Sequence, residues 1–302
     1  VNDYYSTELK RARLDILHQH EHFTFNEGDI SDAGFVDGVY NVHRPDRVIH
    51  LAAQAGVRYS LEQPRAYIET NLTGFFNIME ASKAAGVDHF VFASSSSVYG
   101  ANRNQPLSVE RPADHPINLY AATKRSNELM AHAYSHLHGM PATGLRFFTV
   151  YGPWGRPDMA YFKFTDAIMS GTPIEVYNNG EMWRDFTYID DIIEGVVRIM
   201  DVIPEPSQPA IDEDFPLNSG AAPFAVYNIG GSRPEKLMDM IQLLEKYSGR
   251  KAEMIMRPMQ PGEIEKTYAD TDTLTAATGF TPRIALEDGL KRFMDWYQQH
   301  YS

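Results

Sequence analysis

Tyr120 and Lys124 stand four positions apart in Tyr120-Ala121-Ala122-Thr123-Lys124. On a helix, positions i and i+4 share a face. A free tyrosine phenol, with a pKa of ~10, is a poor base near neutrality. A lysine ammonium beside it favours the phenolate and lowers that pKa. A Tyr and a Lys one turn apart can therefore form a general base. The spacing also suits an ordinary solvent-facing helix, so its surroundings decide between the two. One loop upstream lies Ala93-Ser94-Ser95-Ser96-Ser97-Val98-Tyr99-Gly100. It ends an apolar run at 89–94 that reads as a buried strand. A hydroxyl there could hydrogen-bond a substrate oxygen as its proton leaves; serines also favour plain polar turns. Leu51-Ala52-Ala53-Gln54-Ala55-Gly56 ends a second apolar run at 47–53. Its small side chains allow a cofactor to approach the backbone, or simply tight packing.

Alternating strands and helices must position these groups. Residues 23–26 alternate like a strand, and Gly28-Asp29-Ile30 follows. Ser31-Asp32 can cap a helix with Phe35, Val36, Val39 and Tyr40 on one face. Pro64 suits the first turn of a helix running to about Ala85, and Gly86 ends it. A long helix from about Asn118 stops at Gly139, and 142–148 is the next strand. Strands alternating with long helices imply parallel pairing through right-handed crossovers. The expected fold is α/β, a doubly wound parallel sheet of Rossmann type. In such sheets ligands bind beyond the carboxyl ends of the strands, where these motifs fall.

Beyond Gly152 the pattern loosens. Residues 158–170 read as a helix, 174–177 as a strand leading into Asn178-Asn179-Gly180, and 188–203 as a helix. Residues 204–223 read as a surface loop rich in Pro, Asp, Gly and Ser, and 225–229 as a strand. Helices are expected at 234–247 and 286–297. The division expected is a cofactor-binding domain of 1–152 plus 187–231, and a smaller discontinuous lobe of 153–186 plus 232–302.

Composition narrows the function classes. The 302 residues are 43% hydrophobic and 22% charged, which is ordinary globular usage. Lys and Arg number 27 against 40 Asp and Glu, a net charge of −13. Without a dense basic run, such a chain is a poor general binder of nucleic acid. The absence of cysteine excludes disulfides, thiolate metal sites and cysteine nucleophiles. No apolar stretch is long enough for a membrane span. The spacings His18, His20, His22 and His132, His136 lack a completing carboxylate, so no metal site is expected. Met254 to Met259 reads as a strand with its packing.

The combination resembles the extended short-chain dehydrogenase/reductase family, specifically its nucleotide-sugar epimerases. The residues that carry the resemblance are Gly28-Asp29-Ile30, Leu51-Ala52-Ala53-Gln54, Asn71, the run from Ser94 to Gly100, and Tyr120-x-x-x-Lys124. They continue with Arg146-Phe147-Phe148-Thr149-Val150-Tyr151-Gly152-Pro153 and Arg184-Asp185-Phe186-Thr187-Tyr188-Ile189-Asp190-Asp191. Ala53-Gln54-Ala55-Gly56-Val57-Arg58-Tyr59-Ser60 and the stretch from Thr149 to Met159 look most like UDP-glucuronate 4-epimerases. The resemblance implies NAD as cofactor, with Asp29 and Ile30 near the adenine. It places Leu51, Ala52, Ala53, Gln54, Asn71, Ser94, Phe147 and Val150 along the cofactor, and Tyr120 and Lys124 at the nicotinamide ribose. It puts Val176 and Arg184 at the UDP end, with Gln260-Pro261-Gly262-Glu263 where relatives often carry Arg-x-Gly-Asp. It also implies a cytoplasmic homodimer joined by a helix bundle. This chain has no Gly-x-x-Gly-x-x-Gly turn, the element whose amides hold a dinucleotide pyrophosphate. Val1-Asn2-Asp3-Tyr4-Tyr5 resembles the segment after the family's second strand. The expectation is thus of a parent protein with a further strand–helix–strand unit of ~30–40 residues in front.

Such enzymes begin by oxidising the sugar C4 to a ketone and then diverge. Dehydratases of the family carry an Asp-Glu pair, and its UDP-glucuronate decarboxylases a Glu, where this chain has Ser96 and Ser97. Serines there favour epimerisation. A 4-keto glucuronate is a β-keto acid, so an enzyme that only epimerises must hold the carboxylate away from decarboxylation geometry. Thr149 and Arg156 are the expected anchor, with Arg58 as a weaker candidate. Ser95 is the expected hydroxyl partner of Tyr120, and Ser97 stays open. The alternatives are a UDP-hexose 4-epimerase and a catalytically inactive nucleotide-sugar-binding protein.

Overall fold

The computed structural model describes residues 1–102, 104–207, 220–259 and 264–301. Its helices are α1 (Thr7–Leu17), α2 (Ala33–His43), α3 (Tyr59–Glu62), α4 (Pro64–Tyr67), α5 (Phe75–Ala85), α6 (Leu119–His138), α7 (Ala160–Ser170), α8 (Ile189–Met200), α9 (Leu237–Ser248), α10 (Asp272–Thr278) and α11 (Leu286–Tyr301). The strands are β1 (Arg47–His50), β2 (His89–Ser95), β3 (Ala142–Phe147), β4 (Thr149–Tyr151), β5 (Ile174–Val176), β6 (Trp183–Tyr188), β7 (Phe224–Ile229), β8 (Pro234–Lys236), β9 (Met254–Met256) and β10 (Lys266–Thr267). A wide π turn, Ile68–Gly74, joins α4 to α5, so Pro64 opens one nearly continuous helical run.

Four parallel strands in the order β1-β2-β3-β7 form the main sheet. Side chains alternate across a strand, and β2 shows the consequence. Phe90 and Phe92 pack with Phe75, Met79 and Ala131 of α5 and α6 on one face. Val91 packs on the other, with Leu145 of β3, Ile192, Val196 and Ile199 of α8, and Leu274 of α10. Burial on both faces explains why β2 reads as a continuous apolar run. On α8, Ile192, Val196 and Ile199 recur at helical spacing, and Gly195 between them lets the helix approach the sheet. A Cβ on Gly195 would lie 2.8 Å from Ile229 Cδ1.

A smaller lobe holds a sheet in the order β10-β6-β4, with β8 antiparallel on β6, and the pair β5-β9. Its core gathers Tyr161, Phe162, Val176, Phe186, Leu244 and Phe293, among others. Asp185 of β6 ties this lobe to the main sheet. Its buried carboxylate accepts from the amides of Gly231, Ser232 (3.0 Å) and Ala269 (2.9 Å), and from the Thr187 hydroxyl (3.1 Å). No described helix is long and apolar enough to cross a membrane.

The structure departs from the sequence reading in four places. Residues 23–26 are not a strand: no described strand lies beside them to complete a ladder, and backbone groups without one turn to solvent. Phe23 and Phe25 instead set their edges against His18. Strand β1 stops at His50, and Ile49 and Leu51 on its outer side are exposed. Pro234–Lys236 is a short strand rather than the start of a helix, because β6 offers it an antiparallel edge. Helix α1 was not foreseen; Ser6 caps it by accepting from the Leu9 amide at 3.2 Å. Most of the loop expected at 204–223 and all of Gln260 to Glu263 lie outside the described residues.

Candidate active site

The site sits at the carboxyl ends of β1, β2 and β3. Asn118 starts α6 there by accepting from the Ala121 amide at 2.8 Å, which satisfies one of the free amides of the first turn. That cap fixes the helical phase, and with it the shared face of Tyr120 and Lys124. Gly100 closes the turn after β2 at φ +55; a Cβ there would fall 1.9 Å from the His115 carbonyl oxygen. The turn therefore packs against the chain entering α6, and Ser95 comes to Tyr120.

The Ser95 hydroxyl lies close enough to the half-buried Tyr120 phenol to act on its ionisation. It accepts from the Ser97 amide at 3.2 Å. Burial raises the Tyr120 pKa above its ordinary value, while the Ser95 hydroxyl and then the charge of Arg156 oppose it. Ser95 and Arg156 are thus two groups on the chain that favour the Tyr120 phenolate. Lys124 is buried, and its Nζ donates to the Ala93 carbonyl at 2.7 Å. Burial pulls its pKa down from 10.5 to about 8, against the opposing pull of Glu128.

Buried polar contacts hold this centre. Asn71, in the π turn, accepts from the Gln54 amide at 2.7 Å and donates to the Gln54 carbonyl (3.0 Å) and the Thr123 hydroxyl (3.1 Å). It joins the end of β1 to α6. Glu128, one turn beyond Lys124, meets Arg146 of β3 in a fully buried bidentate pair at 2.8 Å on both arms. The Ser94 hydroxyl donates to the same carboxylate at 2.6 Å, and so points away from the cleft. Tyr67 lies edge-on to Tyr120, with ring centres 6.2 Å apart.

The remaining expected residues are dispersed. Asp29 is exposed and turns its carboxylate onto the Ser31 amide and hydroxyl, both at 2.8 Å; these bonds lower its pKa. The Ile30 carbonyl is anchored by Asn77 of α5 at 2.9 Å. Leu51 and Ala52 are exposed at the end of β1 and Ala53 is half-buried. Phe147 and Val150 pack half-buried beside Val91 and Ile192. Thr149 is half-buried on β4 opposite Phe186. Arg156 sits in the loop before α7, its Nε 3.4 Å from Asp158. The Arg58 guanidinium lies 4.9 Å above the Tyr177 ring in the smaller lobe. Arg184 donates to the carbonyls of Trp183 (2.9 Å) and Glu265 (3.0 Å). Val176 is wholly buried in the smaller-lobe core, and its carbonyl accepts from the Arg257 amide at 2.9 Å. Reading by motif missed Glu128 and Tyr67. The spacing of Tyr120, Lys124 and Glu128, each four apart on one helix face, was the available signal for the first.

A family model described as the NAD dependent epimerase/dehydratase family matches residues 3–211. The chain belongs to that family. A relative from Rhizobium meliloti, named a probable UDP-glucuronate 4-epimerase, is 48% identical over 302 residues, covering all of this chain and 89% of that protein. The UDP-glucuronic acid 4-epimerase of Bacillus cereus, solved with UDP-glucuronic acid and NAD, superposes with a TM-score of 0.85 at 32% identity, covering 97% of this chain and 87% of that one. The UDP-glucose 4-epimerase of Thermotoga maritima, solved with UDP-glucose, gives 0.80 at 27%, covering 94% and 87%. NAD is thus the cofactor of this epimerase/dehydratase family member. The residues present fit the nicotinamide-ribose half of such a site. The Lys124 ammonium has three N–H donors and one hydrogen-bonded acceptor among the described residues, which leaves donors for ribose hydroxyls.

Proposed function

We propose that Ser95, Tyr120 and Lys124 are the catalytic residues of a cytoplasmic UDP-glucuronate 4-epimerase, with Thr149 and Arg156 gripping the sugar carboxylate. The observation that carries this is the Tyr120 phenol on the same helix face as the buried Lys124, with the Ser95 hydroxyl and the Arg156 charge both acting to favour its phenolate. A cation held beside the proton-transfer centre suits a sugar whose C6 is an anion.

In this reading Tyr120, as phenolate, takes the proton of the sugar C4 hydroxyl. Ser95 hydrogen-bonds the same oxygen and holds it as the C4–O bond becomes a carbonyl. NAD⁺, when bound, accepts the C4 hydride and returns it. The keto sugar turns over, hydride re-enters on its other face, and Tyr120 gives the proton back to O4. One C–H and one O–H bond break and re-form, so there is no net oxidation. Lys124 supports the phenolate and the ribose. Ser96 and Ser97 supply no carboxylate for dehydration or decarboxylation. Arg156 and Thr149 hold the carboxylate out of the orientation in which a β-keto acid loses CO₂. Arg184 serves the UDP end, and Asp29, Ile30, Leu51, Ala52, Ala53, Gln54, Asn71, Phe147, Val150 and the Ser94 backbone the dinucleotide. Ile68 and Phe76 of the α4–α5 run and Leu129 of α6 expose apolar side chains, which supports a homodimer through these helices.

A UDP-hexose 4-epimerase is the second reading, favoured by Arg156 already facing a carboxylate of its own chain. Proton NMR of the anomeric region, with NAD⁺ and UDP-glucuronate, separates the readings. UDP-galacturonate is the expected product, lost in Tyr120→Phe. A UDP-pentose would make the protein a decarboxylase, and turnover of UDP-glucose alone would select the hexose enzyme.

A further inference from the structure

Tyr4 reaches 154 positions along the chain to Asp158, donating its hydroxyl to Oδ2 at 2.9 Å. Asp158 Oδ1 is buried, has no hydrogen-bond partner among the described residues, and faces Arg156 Nε at 3.4 Å. The Tyr4 ring packs on Tyr59, centre to centre 4.6 Å, and Tyr59 neighbours Tyr67, which borders Tyr120. Gly56, at φ +102, makes room for the Tyr4 hydroxyl; a Cβ there would stand 2.6 Å from it. A second tether runs beside the first. Arg13 of α1 donates to the Gly155 carbonyl at 3.1 Å and to the Tyr5 hydroxyl at 2.7 Å. The opening segment thus holds the Arg156 loop at two points.

A guanidinium is a rigid planar fork. Asp158 on the Nε edge orients the plane and leaves the terminal nitrogens to engage a second anion. Among the described residues, Arg156 Nη2 meets only the Met159 sulfur, at 3.3 Å, a weak acceptor that a carboxylate can displace. Asp158 can hold that edge only if its own rotation is stopped, and the Tyr4 hydroxyl on Oδ2 stops it.

We propose that Tyr4 is a positioning residue for the substrate's carboxylate, acting through Asp158 on Arg156. The inference rests on the reading of the substrate as UDP-glucuronate. It makes the opening segment part of substrate selection.

The test is Tyr4→Phe, which keeps the ring on Tyr59 and removes one hydroxyl. Calorimetry on the NAD⁺-loaded protein gives Kd for UDP-glucuronate and for UDP-glucose, and NMR gives KM, kcat and the fraction of UDP-pentose. The expected result is binding of UDP-glucuronate weakened roughly 5- to 10-fold, as suits the net loss of one hydrogen bond that acts through a second residue. UDP-glucose binding should be unchanged, KM should rise more than kcat falls, and the UDP-pentose fraction should increase. Asp158→Asn should show the same selective loss. An equal loss for both sugars would reveal a packing role only and overturn the proposal, as would no loss for either. A parent protein that binds both sugars equally would instead overturn the substrate reading, and the inference with it. Wild-type preference for UDP-glucuronate without an effect of Tyr4→Phe would sink the inference alone.

Discussion

Replacing Lys124 by Met should make the protein more stable and less active. Lys124 is 3% exposed and still carries its charge at pH 7, although burial has brought its pKa from 10.5 to about 8. That displacement corresponds to roughly 3 kcal/mol of unfavourable free energy for keeping the buried ammonium charged. Met fills much the same volume without charge. It forfeits the hydrogen bond to the Ala93 carbonyl, worth about 1 kcal/mol net. The variant should therefore gain about 1–2 kcal/mol at pH 7. The pH dependence identifies the cause. Between pH 8 and 10.5 the unfolded chain binds more protons at this site than the folded one, so wild-type stability rises with pH through that window. The advantage of the variant should shrink by about 3 kcal/mol across it, reversing sign near the middle. Urea unfolding of the cofactor-free proteins at a series of pH values reads the difference directly, because all other titrating groups are common to both. Cofactor-free protein is needed since ligand linkage would add its own pH dependence. A stability gap independent of pH, or a variant less stable at pH 7, would refute the reasoning. Loss of turnover alongside the gain would mark Lys124 as kept for chemistry at the expense of the fold.

Ser95→Ala removes a group that lowers the Tyr120 pKa, so the alkaline shift of the pH–kcat/KM profile is the expected signature, with turnover reduced roughly 10- to 100-fold. Glu128→Gln leaves Arg146, fully buried, without its counter-charge and should cost about 3–5 kcal/mol in denaturant unfolding; a paired Glu128→Leu, Arg146→Met replacement should recover most of that. Asp185→Ala strips the acceptor from three backbone amides and a hydroxyl, and a loss of at least about 3 kcal/mol is expected. Proteolysis should then nick the chain near Gly231 and Ala269 first.

What could be read without coordinates was what lies within one element. The Tyr120 and Lys124 pair is legible because a helix converts a spacing of four into a shared face, and β2 because burial on both sides removes polar residues from it. Partners across the chain left weaker traces. Residues 23–26 alternate as a strand would, but alternation reports which side is covered and says nothing of a neighbouring strand. Asp272–Thr278 was assigned with the smaller lobe by its place in the chain, yet Leu274 packs on Val91 and Leu145 of the main sheet. The two arginines considered for the substrate carboxylate show the limit most directly. Arg58 and Arg156 both lie in loops at strand ends, and their local sequences give each a claim. Folding gives them different neighbours: Arg58 lies over the Tyr177 ring, whose hydroxyl is itself bound to Glu175 at 2.6 Å. Arg156 meets a carboxylate two residues away, which a tyrosine near the first residue holds in turn. A charge is assigned to a substrate or to the scaffold by which partner reaches it first, and that is decided by contacts far apart in the chain.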